Sequence, residues 1–423
     1  MSSPDILGGL REVQAGDVDW SKGQCFGYVY DPGPEAQGLM QEALLLYLNS
    51  TVLDTQAFPS SKILEKRVDD FARKILRVPD SGVSTFTTGG TESIFLSVLA
   101  HREWGRKEKG IREANIVIAD TAHPAFVKAC FYLDMRPIIV AADPDYKADA
   151  RKVAYYADNY ANSNTVAIVG SAPAYGTGQV DPLRELGEFA ESEDIGFIVD
   201  GCVGGGILPF MGEGLLDFTI PGVTAITLDW HKWFMSLKGA SSVVYRDAKM
   251  LEYQTFSHSA WMGYPIVNPT VTSTRSSGHI AATVAVLEYF GVEGYREIAQ
   301  DIMRTSQVIK DYLSQSKHLA LVGDPPLNVF SVRSTTSEVN IFRLQQELRR
   351  NGWYIQPQTS FGDMPASCHV SVNRGNVGRE QAFVDELDRI LQQGNLSEET
   401  EYDLVNNLSI KKRDAAFKRS RIF

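Results

Sequence analysis

Two hydrophobic periods alternate along this chain. Short runs of consecutive apolar or β-branched residues occur at 83–86, 116–119, 137–140, 166–170, 197–200, 225–228 and 242–245. Between them lie stretches whose apolar positions recur at helical spacing, clearest over residues 63–76. Unbroken apolar runs of this length are what strands covered on both faces look like. The alternation therefore predicts an α/β fold with a mostly parallel central sheet covered by helices.

The flanks follow other patterns. Residues 1–60 hold turn formers and aromatics, including Asp31-Pro32-Gly33-Pro34, then a helix-like stretch at 38–48 and a loop at 51–60. Beyond a loop at 257–277, helical patterns at 280–290 and 294–314 lead into runs that read as strands at 327–332, 339–341 and 369–372, with helices at 344–351 and 379–392. A smaller α+β unit is expected there. At 423 residues the chain exceeds a single typical domain. The expected division is an N-terminal segment 1–60, a large domain 61–290, a small C-terminal domain 291–395 and a basic tail 396–423.

Several of the predicted strand ends carry chemistry. Thr227-Leu228-Asp229-Trp230-His231-Lys232-Trp233-Phe234 places a lysine after a histidine in an aromatic setting. A lysine amine is nucleophilic only when unprotonated, and apolar burial disfavours its charged form, so Lys232 is expected to be a lysine of lowered pKa that forms a Schiff base. The run 197–200 delivers Asp200 at its C-terminal end, where open α/β sheets build their ligand sites. A lysine for an aldehyde and an acid for a pyridinium nitrogen are the pair that pyridoxal 5'-phosphate needs. Gly89, Gly90 and Thr91 follow the run 83–86 and open a helix, which suits backbone N–H groups to a phosphate. His123, after the run 116–119, falls on the same rim, where an imidazole can stack on a ring and move protons. Each feature alone has an ordinary structural reading, such as a capping aspartate or a tight-turn glycine; the argument rests on their occurring together.

With Gly89-Gly90-Thr91-Glu92-Ser93, His123, Asp200-Gly201-Cys202-Val203-Gly204-Gly205 and His231-Lys232 in this order, the chain resembles fold-type I pyridoxal-phosphate enzymes of the group II decarboxylase superfamily. Gly178-Gln179-Val180-Asp181-Pro182, Lys238-Gly239-Ala240-Ser241 and Ser273-Thr274-Arg275 make it most similar to the sphingosine-1-phosphate lyase family, over roughly residues 25–390. That resemblance implies a pyridoxal-phosphate-dependent carbon–carbon lyase making a retro-aldol cleavage of an amino alcohol or β-hydroxy amine. Amino-acid decarboxylation is the alternative, and a catalytically inactive cofactor-binding protein a third reading. It further implies that Lys232, His123 and Asp200 are catalytic, that His231 supports the cofactor, and that Lys238 meets a substrate phosphate. Arg275 would bind a substrate anion or a neighbouring subunit's cofactor phosphate, and Tyr28, Tyr30 and Tyr175 stand as substrate residues and alternative bases to His123. A homodimer with a shared active site is expected. The chain departs from the family at Cys25-Phe26-Gly27-Tyr28-Val29-Tyr30 and at Trp230, where such lyases carry a small polar residue.

Composition narrows the partners. A net charge of -11 argues against nucleic acid, which is bound by clustered Lys and Arg. The basic runs Lys411-Lys412-Arg413 and Lys418-Arg419-Ser420-Arg421 are local exceptions that read as a solvated or intersubunit arm. Cys25, Cys130, Cys202 and Cys368 contain no CxxC pair, so neither a metal site nor a disulfide framework is expected. No apolar run reaches the length of a membrane span and no signal-peptide pattern opens the chain. A small amine or amino acid as substrate, no nucleic acid, no membrane span and a cytoplasmic location are the resulting expectations.

Overall fold

The computed structural model describes residues 3–159, 164–394 and 396–414. Its centre is a sheet of seven strands: β1 (Val83–Thr87), β2 (Asn115–Ala119), β3 (Arg136–Val140), β4 (Thr165–Ser171), β5 (Gly196–Asp200), β6 (Val223–Asp229) and β7 (Ser241–Tyr245). Their spatial order is β1-β7-β6-β5-β4-β2-β3, and every pairing is parallel except the two made by β7. The fold is thus α/β with a mostly parallel sheet. Alternate residues serve opposite cores: Val117, Val199 and Ile226 join one, while Ile116, Ile198 and Ala225 join the other. Burial on both faces is why the inner strands β2, β4 and β5 are buried at every position rather than alternating, whereas the edge strand β3 exposes Arg136 and Ile139.

Helix Gly90–Lys109 covers one face of the sheet and helices Ser60–Leu76 and Ser277–Gln315 the other. The last of these was expected as two helices; the chain breaks at Gly291, whose φ of 59° lies in the left-handed region. Between β7 and this helix, residues expected as loop pair into a hairpin, β8 (Phe256–His258) with β9 (Ile266–Asn268). A second, antiparallel sheet follows, formed by β10 (Leu319–Leu321), β11 (Val329–Ser334), β12 (Gln356–Gln358) and β13 (Ser367–Ser371) in the order β10-β11-β13-β12. Helices Ile341–Arg350 and Glu380–Gln393 belong to the same C-terminal part.

Residues 339–341 do not form the expected strand. Asn340 accepts from the Phe342 and Arg343 N–H groups at 2.9 and 3.2 Å and starts a helix instead, so the cap outweighs the β-propensity of Val339 and Ile341. An unforeseen helix, Ser3–Gln14, lies at the start, and helix Pro34–Leu46 begins earlier than expected because Pro34 occupies its first turn. Of the basic tail, Arg413 turns back to donate to Leu408 O at 3.0 Å, whereas Lys418, Arg419 and Arg421 lie outside the described residues. Among the described residues no helix is long and apolar enough to cross a membrane.

The segment after β4 is pinned between the two sheets. Gly178 has a φ of +78°, and a Cβ there would sit 1.9 Å from the Val329 carbonyl oxygen of β11. Gly110 has a similar φ of +69°, yet a Cβ there would meet nothing within 4 Å. Gly110→Ala is therefore expected to cost about 1 kcal/mol from backbone strain alone, and Gly178→Ala at least roughly 2–3 kcal/mol. Thermal denaturation midpoints compare the two; equal losses would contradict the packing described for the 171–181 segment.

Candidate active site

Strand register brings the chemistry to one rim. Ser171 pairs with Asp200, Asp200 with Thr227, Asp229 with Ser241, and Ser241 with Thr87, so the carboxyl ends of β1, β4, β5 and β6 lie side by side. A cavity of about 730 Å³ opens there, within the usual range for small-molecule sites. Gly89, Gly90, Thr91, His123, Tyr175, Asp200, His231 and Lys232 all contribute to its wall.

Lys232 sits on the tight turn between β6 and β7. The His231 N–H donates to Ala240 O at 3.1 Å and the Met235 N–H to Lys232 O at 2.8 Å. Trp230 points away from the cavity: it is fully buried, donates to the Ser242 hydroxyl at 2.8 Å and packs on Phe234 at 4.8 Å between ring centroids. The bulky residue that departs from the family pattern is thus absorbed by the core.

Beneath the lysine stands a carboxylate that sequence reasoning did not single out. Asp229, at the end of β6 and 4% exposed, places Oδ2 2.9 Å from Lys232 Nζ and 3.8 Å from His231 Nε2. Burial opposes charge on Lys232, but Asp229, with Cys202 and Tyr30, outweighs it and holds the amine above its ordinary range. The expectation of a lysine with a lowered pKa is therefore reversed, because burial came with a partner. For Asp229, burial favours the neutral form, yet Lys232 and His231 hold it below the usual carboxylate range. Its position offered a signal, since it ends a strand just as Asp200 does.

Asp200 has a different environment. Its Oδ1 accepts from the Cys202 N–H and the Thr227 hydroxyl, each at 3.1 Å, leaving Oδ2 without a partner among the described residues. His123 follows β2 at the start of helix Ala125–Leu133, and its Nδ1 accepts from the Ala125 N–H at 3.2 Å. That assigns the proton of the neutral ring to Nε2. Burial pushes His123 below its ordinary range, against the opposing effect of Asp200.

The turn after β1 is built from small residues for a visible reason. Gly89 has a φ of +150°, and a Cβ on Gly90 would lie 2.8 Å from Asp229 Oδ1 and 2.9 Å from Cys202 Sγ. Asp229 Oδ1 is itself buried with no hydrogen-bond partner among the described residues. Glycine lets this turn press against the acid while its N–H groups open helix Gly90–Lys109. Open backbone at a long helix N-terminus, a lysine and a strand-end carboxylate with one free oxygen together fit a phosphorylated pyridine aldehyde.

The tentative substrate residues divide. Tyr175 reaches the cavity, with its hydroxyl donating to Gln356 Oε1 at 2.7 Å and its ring 4.1 Å from that of His369. Tyr28, Tyr30, Lys238 and Arg275 do not form its wall. Tyr30 packs edge-on against Trp233 at 4.7 Å, and the Lys238 ammonium lies 4.6 Å above the Tyr30 ring. Burial around its head group, and then the Lys232 charge, push Lys238 down to about 8. Arg275 donates to Phe86 O at 2.8 Å and pairs with Glu65 at 3.0 Å, so its guanidinium is engaged within the chain. Lys128, Ala129 and Tyr132 of helix Ala125–Leu133 and Val271 and Thr272 of a later loop complete walls that the sequence did not disclose.

Comparison with known proteins agrees with this geometry. The family model described as the pyridoxal-dependent decarboxylase conserved domain matches residues 2–333. The sphingosine-1-phosphate lyase of Oryza sativa is 31% identical over 91% of this chain and 72% of its own length. Sphingosine-1-phosphate lyase 1 of Rattus norvegicus is 32% identical over 88% of this chain, which spans 65% of that protein. The structure of Burkholderia pseudomallei sphingosine-1-phosphate lyase superposes with a TM-score of 0.86 at 30% identity, covering 93% of this chain and 91% of that one. By its fold, its rim and the match across most of its length, the chain belongs to the pyridoxal-dependent decarboxylase family and is a pyridoxal-phosphate-dependent lyase.

Proposed function

We propose that this lyase cleaves the carbon–carbon bond between the amine-bearing and hydroxyl-bearing carbons of a phosphorylated amino alcohol, releasing an aldehyde. The observation that carries this reading is the lyase likeness over 93% of the chain combined with a cavity that holds a lysine, a free carboxylate oxygen and a neutral imidazole. The Burkholderia and plant relatives bear the name sphingosine-1-phosphate lyase, which points to a long-chain phosphorylated amino alcohol here. When bound, pyridoxal phosphate supplies an aldehyde for amines and a ring that accepts electrons from a breaking bond.

The chain's own residues take the remaining tasks. Lys232 is the amine that holds the cofactor aldehyde and later carries a proton. Asp200, through its free Oδ2, keeps a proton on the ring nitrogen. N–H groups at 89–91 and the Thr91 hydroxyl bind the phosphate, and His231 braces the turn by its Nδ1 contact of 2.7 Å with Ala240 O. The base that takes the substrate hydroxyl proton is His123, because it is neutral near pH 7 while its rivals stay protonated. Burial pushes Tyr175 up to about 12 and raises Tyr28 and Tyr30 well above their ordinary range. Tyr175 then acts as a donor rather than a base.

We also read the protein as a cytoplasmic homodimer. Leu45, Leu46 and Leu48 are 66%, 79% and 58% exposed, an apolar face suited to a second copy. All four cysteines are buried and unpaired, which suits a reducing compartment.

Loaded enzyme given phosphorylated amino alcohols and, separately, amino acids should release aldehyde from the former; CO₂ from amino acids with no aldehyde from any amino alcohol would mean the decarboxylase reading is the right one. In enzyme saturated with cofactor, His123→Gln should lower kcat by about 10²–10⁴, and a loss under threefold would remove His123 as the base. Only the neutral amine attacks an aldehyde, so wild-type cofactor uptake should quicken as pH rises. Asp229→Asn removes the charge that holds Lys232 protonated and should speed uptake at pH 7 by about tenfold or more. Stopped-flow absorbance records this, and an unmoved pH profile would contradict the assigned role.

A further inference from the structure

Glu92 is a buried carboxylate with no part in the steps above. It stands in the first turn of helix Gly90–Lys109 and is 8% exposed. Its Oε2 accepts from the Thr88 N–H and the Thr88 hydroxyl, each at 2.7 Å. Its Oε1 accepts from the Val271 N–H at 2.8 Å, across 179 positions of sequence. A glutamate at a helix start is favoured by the helix dipole and by capping. That ordinary role is complete with Thr88 and has no need of Val271.

The second contact ties two walls of the cavity together. Thr88, Gly89, Gly90 and Thr91 line one side of its phosphate end, and Val271 and Thr272 line another. The strap 270–275 is also held at its far end, where Arg275 donates to Phe86 O at 2.8 Å and its own carbonyl accepts from the Val52 N–H at 3.1 Å. Within the strap the Thr270 hydroxyl donates to Thr272 O at 2.8 Å. Arg275 and Glu92 thus fasten it to β1 and to the turn that follows that strand. Only an acceptor on both oxygens meets the donors that converge on Glu92; an amide would turn an NH₂ toward either Thr88 or Val271.

We propose that Glu92 is a positioning residue that clasps the 270–275 strap onto the turn 88–91 and so sets the pocket for the cofactor's phosphate. This rests on the pyridoxal-phosphate reading of the cavity. Charge and position make opposite predictions here. Removing a negative charge near a phosphate strengthens phosphate binding if nothing moves; releasing the strap weakens it.

The test titrates wild type and Glu92→Gln with pyridoxal phosphate and with phosphate-free pyridoxal, following absorbance of the bound aldehyde alongside the thermal midpoint of each apoprotein. Expected for Glu92→Gln is an affinity for pyridoxal phosphate about tenfold or more weaker, with pyridoxal affinity changed by less than about twofold. Glu92→Asp keeps the charge but is one methylene too short to span Thr88 and Val271, and should show the same selective loss if the glutamine variant does not fold. Unchanged or tighter pyridoxal phosphate binding, or equal losses for both ligands, overturns the inference while leaving the cofactor reading in place. A wild-type protein that takes up neither ligand overturns both.

Discussion

The charge on Lys232 is the constraint around which this structure is arranged. Its side chain is 21% exposed in a wall built from strand ends, and such burial would neutralise it without Asp229 at 2.9 Å. Keeping that pair together requires β6 to end at Asp229, the turn to present Lys232 three residues later, and Trp230 to point inward so that the turn cannot splay. The close approach of Gly90 to Asp229 follows from the same demand, since any side chain there would collide with the acid. The ion pair, the aromatic core beneath it and the glycine turn beside it form one unit.

Two strand-end aspartates on neighbouring strands thereby acquire different tasks. Asp229 is paired with a cation and leaves one oxygen buried without a partner among the described residues. Among the described residues the Asp200 carboxylate accepts only from the Cys202 N–H and the Thr227 hydroxyl, through one oxygen. The acid without a cationic partner is the one suited to a ring nitrogen, while the paired acid governs the protonation of the amine. Environment, rather than residue type, divides the work.

The central sheet was legible in the sequence because burial on both faces of its inner strands leaves nearly unbroken apolar runs, and all seven runs appear as strands. Short C-terminal elements were less so. At 339–341 a β-like triplet conceals Asn340, whose side chain caps a helix, and the hairpin of β8 and β9 lies in a stretch whose exposed Trp261, Met262 and Tyr264 give no inward alternation. In the cavity, the glycine turn, His123, Asp200 and Lys232 were legible because each follows a predicted strand end. Asp229 was not legible because the aromatic residues around the lysine predict apolar burial, whereas the acid three residues before it reverses the effect of that burial on the amine. Arg275 was read as an anion binder, and its contacts with Phe86 and Glu65, like that of Glu92 with Val271, were hidden because these partners are distant in the chain.

The most direct measurement is peptide mapping after apoprotein is mixed with pyridoxal phosphate and reduced with borohydride. The account predicts one added cofactor mass per chain, on the peptide containing Lys232. A label on Lys238 or another lysine, with position 232 unmodified, would contradict it.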